Sequence, residues 1–283
     1  MSNPEHFVGP WHVEYPENLK KDVEKASEAW VAFTKLESSV QDAFTAENHF
    51  DGFGFERKIG DGSEKSAHSN DIKLNFDFTK RGIATLDQVA ASIPGGDGEI
   101  VRNFIKSGSS LIDSAQSAIA EVGGLIEEQS GHVGFKALAE ASGPNAFFRF
   151  LYYPAGVDVN SVVGEPHPDN SGFTLHLGES TNGCEWLDAD GATWHDMPVY
   201  EGQATAFASM QTQLTTNGEV DALWHRIIAN ETTHEFGRVA VVCFVALNDT
   251  PKYDRARHGR LQDFHPGETY GETPKLFRNR FTS

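Results

Sequence analysis

Cysteine and methionine are scarce in this chain, with 2 Cys and 3 Met among 283 residues. Two cysteines cannot make a disulfide framework at this length. Cys243, inside an apolar run, reads as a small core residue. No basic stretch followed by an apolar one opens the sequence, so no secretory signal is expected. The longest apolar run, residues 239–247, is far too short to span a bilayer. A reducing, cytoplasmic setting without membrane attachment is the expectation. Positive charge is also sparse, with 23 Lys and Arg against 41 Asp and Glu and a net charge of −18. That argues against a surface that tracks phosphates, so no nucleic acid partner is expected. Internal repeats and low-complexity segments are missing too.

What is present is aromatic and apolar. Hydrophobic residues make up 39%, including 20 Phe and 5 Trp, enough for a sizeable core. The first part, residues 1–144, reads as mainly helical. Leu19, Val23, Ala26, Trp30 and Phe33 form one apolar stripe and predict a helix over 18–44. A second long helix is expected over 99–129 with Asp97 as its N-cap, and a third over 132–141. Glycines mark 51–62 as a flexible connection, and alternation predicts a strand over 71–78. Residues 145–248 change texture. Short apolar runs at 147–153, 172–177, 184–187, 193–197, 204–208, 225–229 and 239–247 are separated by turn residues. Asp188-Ala189-Asp190-Gly191 and Thr216-Asn217-Gly218 read as hairpin turns. Helices first and strands after make the class α+β, with a sandwich or jelly-roll barrel. Residues 249–283 form a basic tail.

Within the strand-rich part, His167-Pro168-Asp169 places an imidazole and a carboxylate two residues apart. On an extended segment both point to the same side and can bind one metal ion. A third ligand is available from His225, with His234 as its rival. His12-Val13-Glu14 is a competing pair without a strand-rich neighbourhood. Two histidines and one carboxylate on one face of a metal are the arrangement of non-haem Fe(II) oxygenases. The segment 225–247 reads as a hairpin that sets Arg238 beside the strand beginning with His225. An arginine at the head of an apolar strand is costly unless paired.

An ordered set of short motifs carries a resemblance. These are Trp30-xx-Phe33, Gly52-Phe-Gly54-Phe-Glu56, Tyr152-Tyr153-Pro154, and His167-Pro168-Asp169 with Ser171 and Thr174. They continue with Asn182-Gly183-Cys184-Glu185-Trp186, Gly191-Ala-Thr-Trp194, Leu214-Thr-Thr-Asn-Gly218 and His225-Arg226-Ile227. Over residues 25–250 the chain resembles the isopenicillin N synthase-like family of Fe(II)/2-oxoglutarate-dependent dioxygenases. The resemblance implies a single oxygenase domain over 1–283. Its core would be a double-stranded β-helix, or jelly roll, with the N-terminal helices packed outside. It implies Fe(II) on His167, Asp169 and His225. It implies 2-oxoglutarate as cosubstrate, its far carboxylate on Arg238 and Tyr153, and O2 as oxidant. The family's serine two residues after the arginine is Ala240 here, so one hydroxyl donor is missing. The implied activity is hydroxylation or desaturation of a small-molecule substrate in secondary metabolism. Two alternatives stay open: an oxidase that uses the same triad without 2-oxoglutarate, and a non-catalytic jelly-roll binding module. Oligomeric state is left open. Residues 51–78 and 252–280 are expected to flank the barrel mouth as lids.

Overall fold

The computed structural model describes residues 7–45, 53–58 and 72–251. Strand β1 (Trp11–Glu14) leads into α1 (Glu17–Thr34) and α2 (Ser38–Asp42). Strands β2 (Gly54–Lys58) and β3 (Lys73–Phe78) precede four helices: α3 (Ile83–Ala91), α4 (Gly95–Ser114), α5 (Gln116–Ser130) and α6 (Phe135–Ser142). The strand-rich part holds β4 (Phe147–Tyr153), β5 (Val162–His167), β6 (Phe173–Glu179), β7 (Cys184–Leu187), β8 (Trp194–Asp196) and β9 (Gln203–Ala208). It closes with α7 (Met210–Thr215), β10 (His225–Ile228), α8 (Glu231–Phe236) and β11 (Arg238–Val245). No described helix is long and apolar enough to cross a membrane.

From β4 onward the chain alternates between two sheets, except that β7 and β8 are paired within the smaller one. One has the order β1-β9-β6-β11-β4-β3-β2 and the other β5-β10-β7-β8. All the pairings between these named strands are antiparallel. This alternation makes the jelly roll, so the α+β class and the outside position of the N-terminal helices are as expected from the sequence. The larger sheet buries apolar residues on both faces, and its inner face also carries Asp77, Arg149, His176 and Arg238. Phe148, Phe150, Leu175, Val241 and Cys243 join the helices in one core. Leu151, Tyr153, Phe207, Ala240 and Val242 line the interior between the sheets. Trp30 of α1 anchors the helical layer. Its indole stacks on Phe33 at 5.6 Å and meets Phe104 at 5.4 Å, and its Nε1 donates to the Leu151 carbonyl at 3.0 Å. That bond fixes a helix to a central strand and satisfies the one polar atom that burying a Trp strands.

Several boundaries differ from the sequence-based expectation. The 18–44 helix is two helices, broken at 35–37 between α1 and α2. The 99–129 helix is α4 and α5, jointed at Ala115, and Pro94 rather than Asp97 takes the N-cap place. Asp97 sits one turn inside, where a carboxylate still favours the positive helix end. The 51–62 connection contains β2, because pairing with β3 outweighs its glycines. Residues 51–52 and 59–62 of it, and the expected lid at 252–280, lie outside the described residues. Thr216-Asn217-Gly218 closes α7 instead of a hairpin, with Asn217 and Gly218 at φ 55° and 78°. Strands β10 and β11 are not a hairpin either. They lie in different sheets, and the polar link between them is α8, capped by Asn230 accepting from the Thr233 amide. Gly237 makes the turn from α8 into β11 at φ 78°, where an added Cβ would sit 2.6 Å from the Tyr153 carbonyl oxygen.

Candidate active site

Two strand ends and one crossing assemble a cluster in the jelly roll, with Asp169 and His225 buried and His167 exposed. His167 ends β5, and His225 opens β10 directly opposite it. Asp169 lies where the chain crosses from β5 to β6. Asp169 Oδ1 is 3.7 Å from His167 Nε2 and 3.9 Å from His225 Nε2. One ligand atom from each residue lies within 4.8 Å of the others, and among the described residues no other group of three His, Cys, Asp or Glu does so.

The surroundings aim these atoms. His167 Nδ1 lies 2.6 Å from the Glu165 carbonyl, and His225 Nδ1 lies 3.4 Å from the Leu223 carbonyl. A proton on each Nδ1 donates to its carbonyl and leaves Nε2 as a lone pair facing Asp169. Thr174 Oγ1 donates to Asp169 Oδ2 at 2.5 Å, which turns Oδ1 toward the imidazoles. Burial opposes charge on Asp169, but His225, His167 and the Thr174 hydroxyl outweigh it and hold the carboxyl below its usual range. Burial also pushes the His225 imidazole down to about 3, against the pull of Asp169. This donor set, two neutral nitrogens and one carboxylate oxygen, fits a divalent transition metal with open positions.

The depressed His225 value predicts an acid-labile metal-free protein. Above pH 6.5 His225 is neutral in the folded and the unfolded chain. Below it the unfolded chain takes up a proton that the folded chain refuses, so stability falls as pH drops from 6.5 toward 3. The expected slope is up to about 1.4 kcal/mol per pH unit. Melting curves of metal-free wild type and His225→Gln between about pH 7.5 and 5.5, a window just around the ordinary imidazole range, test this. Parallel pH dependences in the two proteins would refute it.

Arg238 opens β11 opposite Tyr153, with its guanidinium 5.6 Å from that ring's centroid. It is 1% exposed, and it has a partner that the sequence did not disclose. Glu179 Oε2 lies 2.7 Å from Arg238 Nη2, with the carboxylate 4% exposed. The other oxygen, Oε1, is hydrogen-bonded by His176 Nδ1. Burial favours the neutral acid, yet Arg238 and His176 overcome it and hold Glu179 down at about 2. The pair is close but poorly aligned. Glu179 Oε2, Arg238 Nε and Arg238 Nη2 are all buried without a well-directed hydrogen bond.

A register shift puts Glu179 there. Val242 faces His176 and Val241 faces Gly178, so β6 holds one extra residue at Leu177. Leu177 packs in the outer core, and a Cβ on Gly178 would meet Val23 of α1 at 2.9 Å, so both face outward. Glu179 then turns inward beside Ala240. A cleft of about 510 Å3 reaches this point, with Tyr15, Val23, Met197 and Val199 on its walls and His176 and Glu179 in its lining.

The other candidates lie elsewhere. His234 is exposed on α8, with Nδ1 at 2.7 Å from the Val157 carbonyl. His12 faces Thr205 on the edge strand. Arg149 is paired with Asp77 and His195 with Asp188.

Residues 144–246 match the family model described as the 2OG-Fe(II) oxygenase superfamily. The jelly-roll part of this chain is thus similar in sequence to that superfamily over about a third of the chain's length. Among curated proteins, 1-aminocyclopropane-1-carboxylate oxidase homolog 3 of Arabidopsis thaliana is 32% identical over 101 residues, 35% of this chain and 26% of that protein. The chain therefore spans about a quarter of the length of that curated relative. Among solved structures, a full-length Neurospora crassa protein in complex with alpha-KG and 5-formyluracil superposes with a TM-score of 0.66 at 14% identity, covering 89% of this chain and 81% of that one. The Arabidopsis thaliana dioxygenase for auxin oxidation 1, with 2-oxoglutarate bound, superposes at 0.63 with 13% identity and 88% of each chain covered. These likenesses extend the shared fold beyond the matched segment to the N-terminal helices.

Proposed function

We propose that this protein is an Fe(II)- and 2-oxoglutarate-dependent dioxygenase that hydroxylates or desaturates a C–H bond of a small molecule. The observation that carries the reading is the convergence of His167 Nε2, Asp169 Oδ1 and His225 Nε2 inside the jelly roll. These three residues would hold the iron. The Nε–Nη2 edge of Arg238, buried and without an aligned partner, suits the far carboxylate of 2-oxoglutarate, with Tyr153 beside it. Bound iron, 2-oxoglutarate and O2 together supply oxidation of a substrate C–H coupled to release of succinate and CO2.

The chain's own residues prepare that chemistry. As a metal ligand, Asp169 would take the place that a halide would need, which favours C–H oxidation over halogenation. Thr174 fixes the orientation of Asp169. Phe207, with its ring 4.9 Å from that of His225, presents an apolar wall and keeps water from one flank. Scarce cysteines and acidic charge support a cytoplasmic enzyme with no nucleic acid partner, and the family resemblance supports a role in secondary metabolism.

The Arg238–Glu179 pair and Ala240 favour one second reading, an oxidase that uses the same triad without 2-oxoglutarate. Anaerobic titration of the Fe(II) protein with 2-oxoglutarate tests both. A weak visible charge-transfer band that saturates with the acid, followed by succinate formation on adding O2, supports the dioxygenase. Iron binding with no band supports the oxidase. Failure to bind iron leaves a non-catalytic binding module.

A further inference from the structure

We infer that Glu179 controls which 2-oxo acid this chain accepts: its carboxylate holds the Arg238 edge that the remote carboxylate of 2-oxoglutarate must take, and it swings aside when that acid binds. The inference rests on the function proposed above.

The geometry gives Glu179 both a hold and a way out. It is the carboxylate nearest Arg238, 2.7 Å away, in a pocket where both side chains are almost fully buried. Two carboxylates cannot share one guanidinium edge in so dry a place without strong repulsion. The existing contact is off-axis and leaves three buried polar atoms unsatisfied, so an incoming carboxylate aligned with Nε and Nη2 would be better bonded than Glu179 is. Displacement needs no large movement. His176 holds the opposite oxygen, Oε1, and can serve as the pivot. The cleft into which Glu179 would turn is lined by Tyr15, whose hydroxyl is buried without a hydrogen-bond partner. That hydroxyl is a donor ready for the displaced carboxylate. A 2-oxo acid without a remote carboxylate has no need to displace Glu179. Wild type therefore disfavours 2-oxoglutarate relative to such an acid, compared with a chain in which Glu179 carries no charge.

E179Q keeps the shape and removes the charge. With anaerobic Fe(II) protein and the charge-transfer band as readout, half-saturation by 2-oxoglutarate is expected to fall about tenfold or more in E179Q. Half-saturation by 2-oxopentanoate, the same chain without the remote carboxylate, should stay within about twofold. Unchanged or weaker 2-oxoglutarate binding in E179Q would overturn the inference. A second readout avoids iron altogether. Glutarate, which has both carboxylates and no 2-oxo group, should raise the melting temperature of metal-free E179Q and leave that of wild type unmoved. Equal responses would also overturn it. If no acid gives a band in either protein, the 2-oxoglutarate reading of the site fails, and the glutarate comparison still decides the role of Glu179. E179D, which draws the charge back by one methylene, replaces E179Q if the latter does not fold, with the same ranking of acids expected.

Discussion

His225→Ala is expected to abolish stoichiometric Fe(II) binding in a chain that still folds. His225 supplies one of three ligand atoms, and its Nε2 is the donor most deeply fixed, 6% exposed and directly opposite His167 on the neighbouring strand. Losing it leaves a two-ligand site, and affinity should drop by more than about a hundredfold, since outer partners of metal ligands alone are worth about 10–100-fold. The cavity left beside Phe207 and His176 should cost about 1–3 kcal/mol, well short of unfolding a domain of this size. Iron retained after anaerobic gel filtration, with far-ultraviolet circular dichroism on the same sample, reads both quantities. Normal iron content in His225→Ala would remove it from the site. His234→Ala is the control and should bind iron as wild type does, because that side chain lies on exposed α8.

Arg238→Gln should be the most destabilising polar substitution in the interior. The family resemblance by itself implies a change confined to 2-oxoglutarate binding, about tenfold or more. The structure adds that Glu179 would be left buried and charged with only His176 beside it. Removing one partner of a buried pair typically costs about 3–5 kcal/mol, whereas replacing both can be neutral. Arg238→Gln is therefore expected to melt far below wild type, and Arg238→Gln/Glu179→Gln to recover most of the loss. The double variant should still lack tight 2-oxoglutarate binding, since no cation remains. Denaturant melts of the two single variants and the double give the coupling. Additive losses would mean that the two charges do not depend on each other.

The parts that were legible in the sequence share a cause. Alternation and turn residues located β4, β6, β7, β9 and β11 nearly to their ends, because each has one apolar face on a core. The spacing of His167 and Asp169 showed a shared side, and the structure brings His225 to them. What stayed hidden depended on pairing between distant segments. β5 carries Gly164, Glu165 and Pro166 and has almost no apolar signal, yet it pairs with β10 and delivers His167. Gly54–Lys58 reads as a loop until β3 lies beside it. Glu179 was missed for a sharper reason. Strict alternation from His176 turns it outward toward α1, and only the extra residue at Leu177 brings it to Arg238. Such a shift has no signature in a single strand's composition.

The three side chains of the cluster differ greatly in their access to solvent: 52% for His167, 10% for Asp169 and 6% for His225. If these residues seat a metal, Asp169 and His225 would hold it from the interior and His167 from the solvent side. Metal exchange would then be a surface event at the imidazole of His167, with no need to open the sheets. A chelator would strip the native protein as readily as the folded apoprotein reloads. Material handled in chelating buffers would reach the bench empty but fully folded, and a brief anaerobic incubation with ferrous salt would restore it.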